Sequence, residues 1–376
     1  MTSTTERTTP LIEVHERLGA TFTDFGGWRM PVRYASDLAE HHAVRQAAGI
    51  FDISHMAQFV ITGDDRDAFL DHALPANVSI LKLSRAKYTM VLAPDGGIID
   101  DLIVTRIGPD RLMVVANAGN RDAVRAALHE RADGYAVEIE ESTNALIAVQ
   151  GPRAQEILEA TPELTHDDEL AMGHTLETLP YYAAMRMRFG DLPVLVSRTG
   201  YTGEDGFEIS VDADRAVALW EACSKAGAEF GLVPCGLASR DTLRLEAGMP
   251  LYGHELSRTI LPVQAGLGRV IPLKTKTADF VGRAAIEAGP AEDAPVLVGL
   301  VGEGRRAGRP GYAVKLGDEV VGEVTSGALS PTLGHPIAMA YVRPGLTEPG
   351  TELTIDIRGG GVPAIVTALP FYRRNQ

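Results

Sequence analysis

Apolar residues return at steps of three and four over residues 37–48, 66–74, 120–132, 152–160, 213–231 and Leu237–Glu246, and this period predicts helices there. The longest, 213–231, carries an inward stripe of Ala216, Val217, Trp220 and Cys223. Apolar and β-branched runs predict strands at 59–62, 88–93, 98–107, 112–116, 137–139, 195–197 and 207–211. Pro94-Asp95-Gly96-Gly97, between two of these runs, is a hairpin turn signal. Past residue 290 only short strands remain, at 296–300, 312–315, 320–324, 338–342, 353–357 and 364–367. Gly and Pro turns separate them at roughly the 8–12-residue spacing of an all-β barrel or sandwich. This shift places a domain boundary near 276–289. The pattern contains no internal repeat.

Composition narrows the class. At ~150 residues per domain, 376 residues allow two or three domains. The 39 Gly and 22 Pro favour a turn-rich α+β protein over a helical bundle. The formal charge of −15 argues against a general binder of nucleic acid or of an anionic membrane. Cys223 and Cys235 cannot make a disulfide framework and lack zinc-site spacing, so reduced thiols in a cytoplasmic setting are expected. The first ten residues hold no apolar leader core, and no run approaches the ~18 apolar residues of a membrane helix.

Several constellations could carry chemistry. Asp100 and Asp101 sit mid-strand, where alternation sends their side chains to opposite faces. Either one faces an interior or cleft, or the pair is an exposed Asp beside a turn; periodicity does not choose. The segment Thr199 to Glu208 packs glycines with Glu204, Asp205, Glu208 and Tyr201. Its glycines would let backbone approach a flat ligand, or it is simply a solvated loop. His55 stands alone in Ser54-His55-Met56 and reads more readily as a satisfied core histidine than as a base. Arg240 and Arg244, one helical turn apart, suit either structural ion pairs or an anionic or carbonyl-bearing ligand. Tyr181 and Tyr182 could wall a flat ligand or pack in a core. HExxH, GxSxG, GxGxxG and P-loop signatures are missing, so no resident metal is expected.

Taken in order, Asp24-Phe-Gly-Gly-Trp-Arg-Met-Pro31, Gly49-Ile-Phe-Asp-Ile-Ser-His-Met56, Gly96-Gly-Ile-Ile-Asp-Asp-Leu-Ile-Val104, Val149-Gln-Gly-Pro152, Ser197 to Glu208, Arg244-Leu-Glu-Ala-Gly248 and Thr325 to Gly334 resemble the aminomethyltransferase (T-protein) family of the glycine cleavage system. The resemblance runs from about Thr9 to Arg373. It implies an α+β fold with three domains in a cloverleaf around a central folate channel. These would be a discontinuous folate-binding domain (1–52 plus 140–275), an inserted α+β domain (53–139) and a C-terminal β-barrel domain (276–376).

The implied reaction moves the methylene of an S-aminomethyldihydrolipoyl H-protein to tetrahydrofolate, the co-substrate, and releases ammonia and dihydrolipoyl H-protein. Lipoylated H-protein is the implied transient partner; neither nucleic acid nor membrane is. By motif position Asp101 matches the family's catalytic carboxylate, which leaves Asp100 a structural role. Glu208 and Arg240 match its polar folate contacts. Tyr88, Met56, Asn117, Tyr182 and Tyr201 would be walls or secondary contacts, and Arg373 would serve the folate glutamyl tail. An acidic enzyme meeting an acidic carrier needs a basic patch, for which Arg305-Arg306-Ala-Gly-Arg309 and Lys274-Thr-Lys276 are candidates, against the plainer reading of solvated surface charges. The alternatives are another folate-dependent demethylase of this fold, or a folate-binding protein without catalysis.

Overall fold

In a computed structural model, which describes residues 6–167 and 172–374, the patterned segments form a seven-stranded sheet, a five-stranded sheet, a two-stranded hairpin and a closed barrel. Among the described residues, no helix is long and apolar enough to cross a membrane. The chain divides into two compact units, one from Met1–Leu70, Val78–Tyr88 and Leu102–Arg240, the other from Asp71–Asn77, Thr89–Asp101 and Asp241–Gln376.

In the first unit the seven-stranded sheet runs Leu164–Thr165, Ala184–Phe189, Leu192–Ser197, Gly206–Val211, Ala145–Gln150, Ala48–Asp52 and Leu232–Pro234. All its pairings are antiparallel except the last, between Leu232–Pro234 and Ala48–Asp52. Two of its interior strands, Ala48–Asp52 and Ala145–Gln150, are buried at every position. Ala145–Gln150 therefore shows a continuous apolar run without alternation, which conceals it from a period-two search. Ile50, Ile147, Val149, Val196 and Phe207 pack with Leu219 and Trp220 in one core.

The segment 213–231 is not one helix. It breaks into a 3-10 turn Ala213–Arg215, an α-helix Ala216–Gly227 and a second 3-10 turn Ala228–Phe230. The Asp212 side chain accepts from Asp214 N at 2.9 Å and caps the first turn. Of the expected stripe Ala216, Trp220 and Cys223 are buried, while Leu219 is fully buried and Val217 only partly so. A further pair of strands, Thr21–Phe25 and Trp28–Arg33, turns through Gly26 (φ 60°) and Gly27 (φ 83°), where a left-handed backbone at both positions suits glycine. Thr21–Phe25 is almost wholly exposed, so it leaves little hydrophobic signature.

The five-stranded sheet is ordered Ala86–Leu92, Ile98–Gly108, Arg111–Ala116, Ala57–Thr62 and Glu138–Ser142. Its first two strands join through the turn read from Pro94 to Gly97, where Ala93 N donates to Gly97 O at 2.8 Å.

In the second unit six strands close a barrel in the order Val296–Gly302, Pro336–Val342, Glu319–Leu329, Ala313–Leu316, Glu352–Ile357 and Gly360–Thr367, the last pairing back to the first. Val298, Leu300, Val324, Ala340, Ile355 and Val366 fill its interior. A short helix, Arg283–Ala288, occupies the stretch read as a boundary. Lys276 is only 1% exposed; its ammonium donates to Leu74 O and Ala76 O and lies 3.5 Å from Asp71. That burial removes Lys276 from any docking surface. Lys274, Arg305, Arg306 and Arg309 are exposed.

A buried polar chain braces the first unit. His15 Nε2 lies 2.8 Å from Asp52 Oδ2, Tyr34 Oη lies 2.9 Å from His15 Nδ1, and Thr9 Oγ1 donates to Asp52 Oδ2 at 2.5 Å. Burial pushes the Asp52 carboxyl up, but the hydrogen bonds from His15, Ser54 and Thr9 outweigh it and hold the group below its usual range. A carboxyl depressed in the folded state contributes stability that is present above its unfolded value of ~3.9 and lost as pH falls through the folded one. Asp52→Asn should therefore lower unfolding free energy at pH 7 by ~3 kcal/mol, as when one partner of a buried pair is removed. In denaturant titrations this deficit should shrink only below about pH 4.

Candidate functional site

The loop from Thr199 to Asp205 is built by packing rather than left open for a ligand. A Cβ on Gly200 would fall 1.9 Å from Gln150 Oε1, and one on Gly206 would fall 2.6 Å from Gln150 Cδ. At these two positions it is the buried Gln150 side chain that requires glycine. Gln150 Nε2 donates to Thr199 O at 3.0 Å, and Thr202 Oγ1 donates to Gln150 Oε1 at 3.2 Å. Two of the three carboxylates between Thr199 and Glu208 are also structural. Arg198 makes a two-pronged pair with Asp205, and Arg45 pairs with the buried Glu204 at 3.0 Å. The loop is thus not a solvated one.

Glu208 is the third carboxylate. It sits on Gly206–Val211, half-buried, and accepts from Thr199 Oγ1 at 2.5 Å. Enclosure raises its pKa; the Thr199 hydrogen bond and the Arg240 cation oppose that only in part. Arg240, on helix Leu237–Glu246, lies with its guanidinium 5.1 Å from the Tyr201 ring centroid. Enclosure draws the Arg240 pKa down against the attraction of Glu208 and Tyr201. One guanidinium nitrogen, Nη1, is buried and has no hydrogen-bond partner. A buried donor without a partner loses about 1–3 kcal/mol, more if charged, so such an atom asks for a ligand.

The start of that helix is held from outside. Glu40, 3% exposed, accepts from Gly236 N at 2.9 Å and Ser239 Oγ at 3.4 Å, while its other oxygen accepts from Tyr34 N at 2.8 Å. Arg244, one turn beyond Arg240, has the other fate open to such a pair. It is 1% exposed and bound to Asp241, Glu255, Ser326 and Met249 O, a structural role throughout.

The first unit also holds the remaining aromatic and apolar candidates. Met56 is half-buried, and its carbonyl accepts from Arg121 Nη2 at 3.3 Å. Asn117 is half-buried at the start of the turn Ala118–Asn120, one helical step before Arg121. Tyr88 is half-buried on Ala86–Leu92. Tyr182 takes a left-handed backbone (φ 57°) held by its own N to Arg198 O and by Ala86 N to its O, and it meets Tyr181 edge to face at 5.0 Å. Of the candidates, Glu208, Arg240 and Tyr201 form one cluster.

Asp101 and Arg373 belong to the second unit. Asp100 is fully buried and Asp101 half-buried on Ile98–Gly108, so neither is the exposed residue one reading allowed. The Tyr252 hydroxyl donates to Ile98 O at 3.2 Å. Its pKa is raised by burial and by the nearby Asp100 and, less strongly, Asp101 carboxylates. Tyr252 was not read as a site residue, and nothing in its sequence surroundings marks it. Gly97 is fixed by close approach, since a Cβ there would fall 1.9 Å from Arg258 O. Arg373 is exposed beyond the last barrel strand.

Comparison with known proteins gives a consistent result. A family model described as the GCVT N-terminal domain matches residues 11–275, and one described as the glycine cleavage T-protein C-terminal barrel domain matches residues 296–373. The chain is 52% identical over 374 residues to an aminomethyltransferase of Cutibacterium acnes, covering 99% of this chain and all of that one. It is also 52% identical over 383 residues to an aminomethyltransferase of Streptomyces coelicolor, covering both chains fully. A solved glycine cleavage system aminomethyltransferase T from Bartonella henselae superposes with a TM-score of 0.89 at 35% identity, covering 98% of each chain.

Enclosure that raises a carboxyl pKa means that ionised Glu208 opposes folding. That opposition appears as pH rises through the usual glutamate value of ~4.3 and is complete above the raised folded value. Glu208→Gln should therefore melt at a temperature equal to or higher than the wild type at pH 7, by no more than ~1 kcal/mol equivalent, with the difference gone at pH 4. A thermal scan at the two pH values checks this.

Proposed function

We propose, for a chain that belongs to the glycine cleavage T-protein family and is a tetrahydrofolate-dependent aminomethyltransferase, that Glu208 and Arg240 hold the pterin and that Asp101 is the carboxylate of the transfer step. The partnerless Nη1 of Arg240 carries the first half of this reading. Bound tetrahydrofolate supplies the nitrogen nucleophile that accepts the methylene. The residues present fit it: a carboxylate suits the donors of an aminopyrimidine edge, and a guanidinium with a free N–H suits its carbonyl. The Tyr201 ring lies under the Arg240 guanidinium, 5.1 Å from ring centroid to its central carbon, as a cation–π neighbour. Met56, Tyr88, Asn117 and Tyr182 are proposed as apolar and secondary walls, and Arg373 as a contact to the glutamyl tail.

Asp101 follows a different logic. Positive charge develops on the transferred carbon as the amino group or sulfur departs, and a fixed carboxylate stabilises it and takes up a proton. Its strand is anchored by a turn on one side and by the ladder from Leu102 onward on the other, so the group is held in place before reaction. Asp101→Asn should lower kcat by ~100–1000-fold, as removal of one preorganised group does. Folate affinity by calorimetry should be unchanged within about threefold, because the proposed binding contacts remain. Equal loss of both would reassign Asp101 to binding.

The three-part division, 1–52 plus 140–275, 53–139 and 276–376, is supported by where the strands fall. Every strand of the seven-stranded sheet lies in the first range and the barrel lies in the last, while the five-stranded sheet lies at 57–142, its strand Glu138–Ser142 running across the 139/140 boundary. A lipoylated H-protein is the proposed partner, and the exposed Arg305 and Arg306 are its proposed docking charges. The two buried, unpaired thiols Cys223 and Cys235 support a cytoplasmic setting. Arg305→Glu with Arg306→Glu should raise KM for H-protein and flatten its salt dependence, with kcat retained. Initial rates against H-protein at two ionic strengths measure both.

A further inference from the structure

Among the described residues of the first unit, Arg240 is not alone in leaving a buried nitrogen without a partner, and one such nitrogen belongs to a ring that feels the Arg240 charge. His55 is 2% exposed, and its Nδ1 makes no hydrogen bond. The sequence favours a satisfied core histidine at this position; the structure shows an unsatisfied one. The backbone around the residue is held in place. Asp52 Oδ1 accepts from Ser54 N at 2.9 Å, Arg121 Nη2 donates to His55 O at 3.1 Å, and Met56 N closes a turn onto Ile53 O at 3.1 Å. Phe25 meets the ring edge to face at 5.6 Å and blocks one side.

The electrostatics fix the protonation state. Burial first, and the Arg240 and Arg121 cations with it, oppose a charge on the ring, while Asp52 favours one; the pKa falls to about 4. His55 is therefore neutral at physiological pH. It is not a general acid there, but a rigid, uncharged hydrogen-bonding group whose free nitrogen lies within electrostatic reach of the proposed pterin anchor. A neutral imidazole also leaves the Arg240 charge available to the ligand, where an imidazolium would compete with it.

We infer that His55 is a further binding residue of this enzyme, whose neutral ring makes a hydrogen bond through Nδ1 to the pterin of the folate co-substrate. The inference rests on the assignment of Glu208 and Arg240 to that same pterin. It adds a contact that sets orientation without adding charge, in a site where burial penalises charge.

Three substitutions and one spectroscopic measurement test it. Asn places a polar atom near the position of Nδ1, Gln places one near Nε2, and Leu places none. His55→Leu and His55→Gln should bind tetrahydrofolate about tenfold more weakly by calorimetry, the scale of one hydrogen bond lost to a buried site. His55→Asn should stay within about threefold of the wild type. In wild-type protein labelled with nitrogen-15 at histidine, the Nδ1 resonance should report a neutral ring from pH 5.5 to 8 and should move when tetrahydrofolate saturates the site. Because that spectrum needs no substitution, it decides the matter even if a variant fails to fold. A stationary Nδ1 resonance at saturation, or a folded His55→Leu with unchanged affinity, overturns the inference. Glu208→Gln serves as the separate control: if it weakens folate and His55→Leu does not, only the His55 contact falls. If neither weakens folate, the Glu208 and Arg240 assignment falls with it.

Discussion

A guanidinium enclosed by protein with one of its nitrogens left unmet is the constraint on which the site depends. Arg240 is held beside Glu208 and over Tyr201, yet its Nη1 has no partner. An arrangement that gives up a hydrogen bond in the free protein is retained only if the surroundings hold it there. Those surroundings are identifiable. Glu40 grips the first turn of the helix through Gly236 N and Ser239 Oγ, and Tyr34 ties Glu40 to the buried His15–Asp52 chain. The same polar chain that stabilises the unit therefore aims Arg240.

In the neighbouring loop two carboxylates are consumed in ion pairs while a third, Glu208, is not. Glu204 and Asp205 are neutralised by Arg45 and Arg198, and Gln150 fills the space that glycines at 200 and 206 leave. Glu208 alone faces only Thr199 and the field of Arg240. Pairing the first two charges removes the repulsion that three carboxylates in ten residues would otherwise create, and it lets the third be enclosed without an ion pair of its own.

Much of the fold was legible in the sequence, and the failures have physical causes. The hairpin at Pro94 to Gly97 and the six short barrel strands were visible, because turn residues and alternation are local signals. Ala145–Gln150 is buried on both faces and so carries no alternation. The split of 213–231 depends on Asp212 capping a turn that periodicity cannot see. Glu208 and Arg240 were legible through motif resemblance alone, since their partnership spans the sequence from one sheet strand to a distant helix. Lys276 looked like a surface charge because nothing local reveals that Leu74 O, Ala76 O and Asp71 enclose it. His55 was passed over for a related reason: a single histidine has no period, and only coordinates show that its Nδ1 is unmet.

The account turns on the claim that the unmet Arg240 nitrogen is directed at the folate co-substrate. A crystal structure of the chain with tetrahydrofolate bound tests it most directly. The account predicts a folate oxygen about 3 Å from Arg240 Nη1, with the Glu208 carboxylate on the pterin's N–H edge. Folate bound with Arg240 Nη1 still partnerless, or met there by another protein atom, would contradict it.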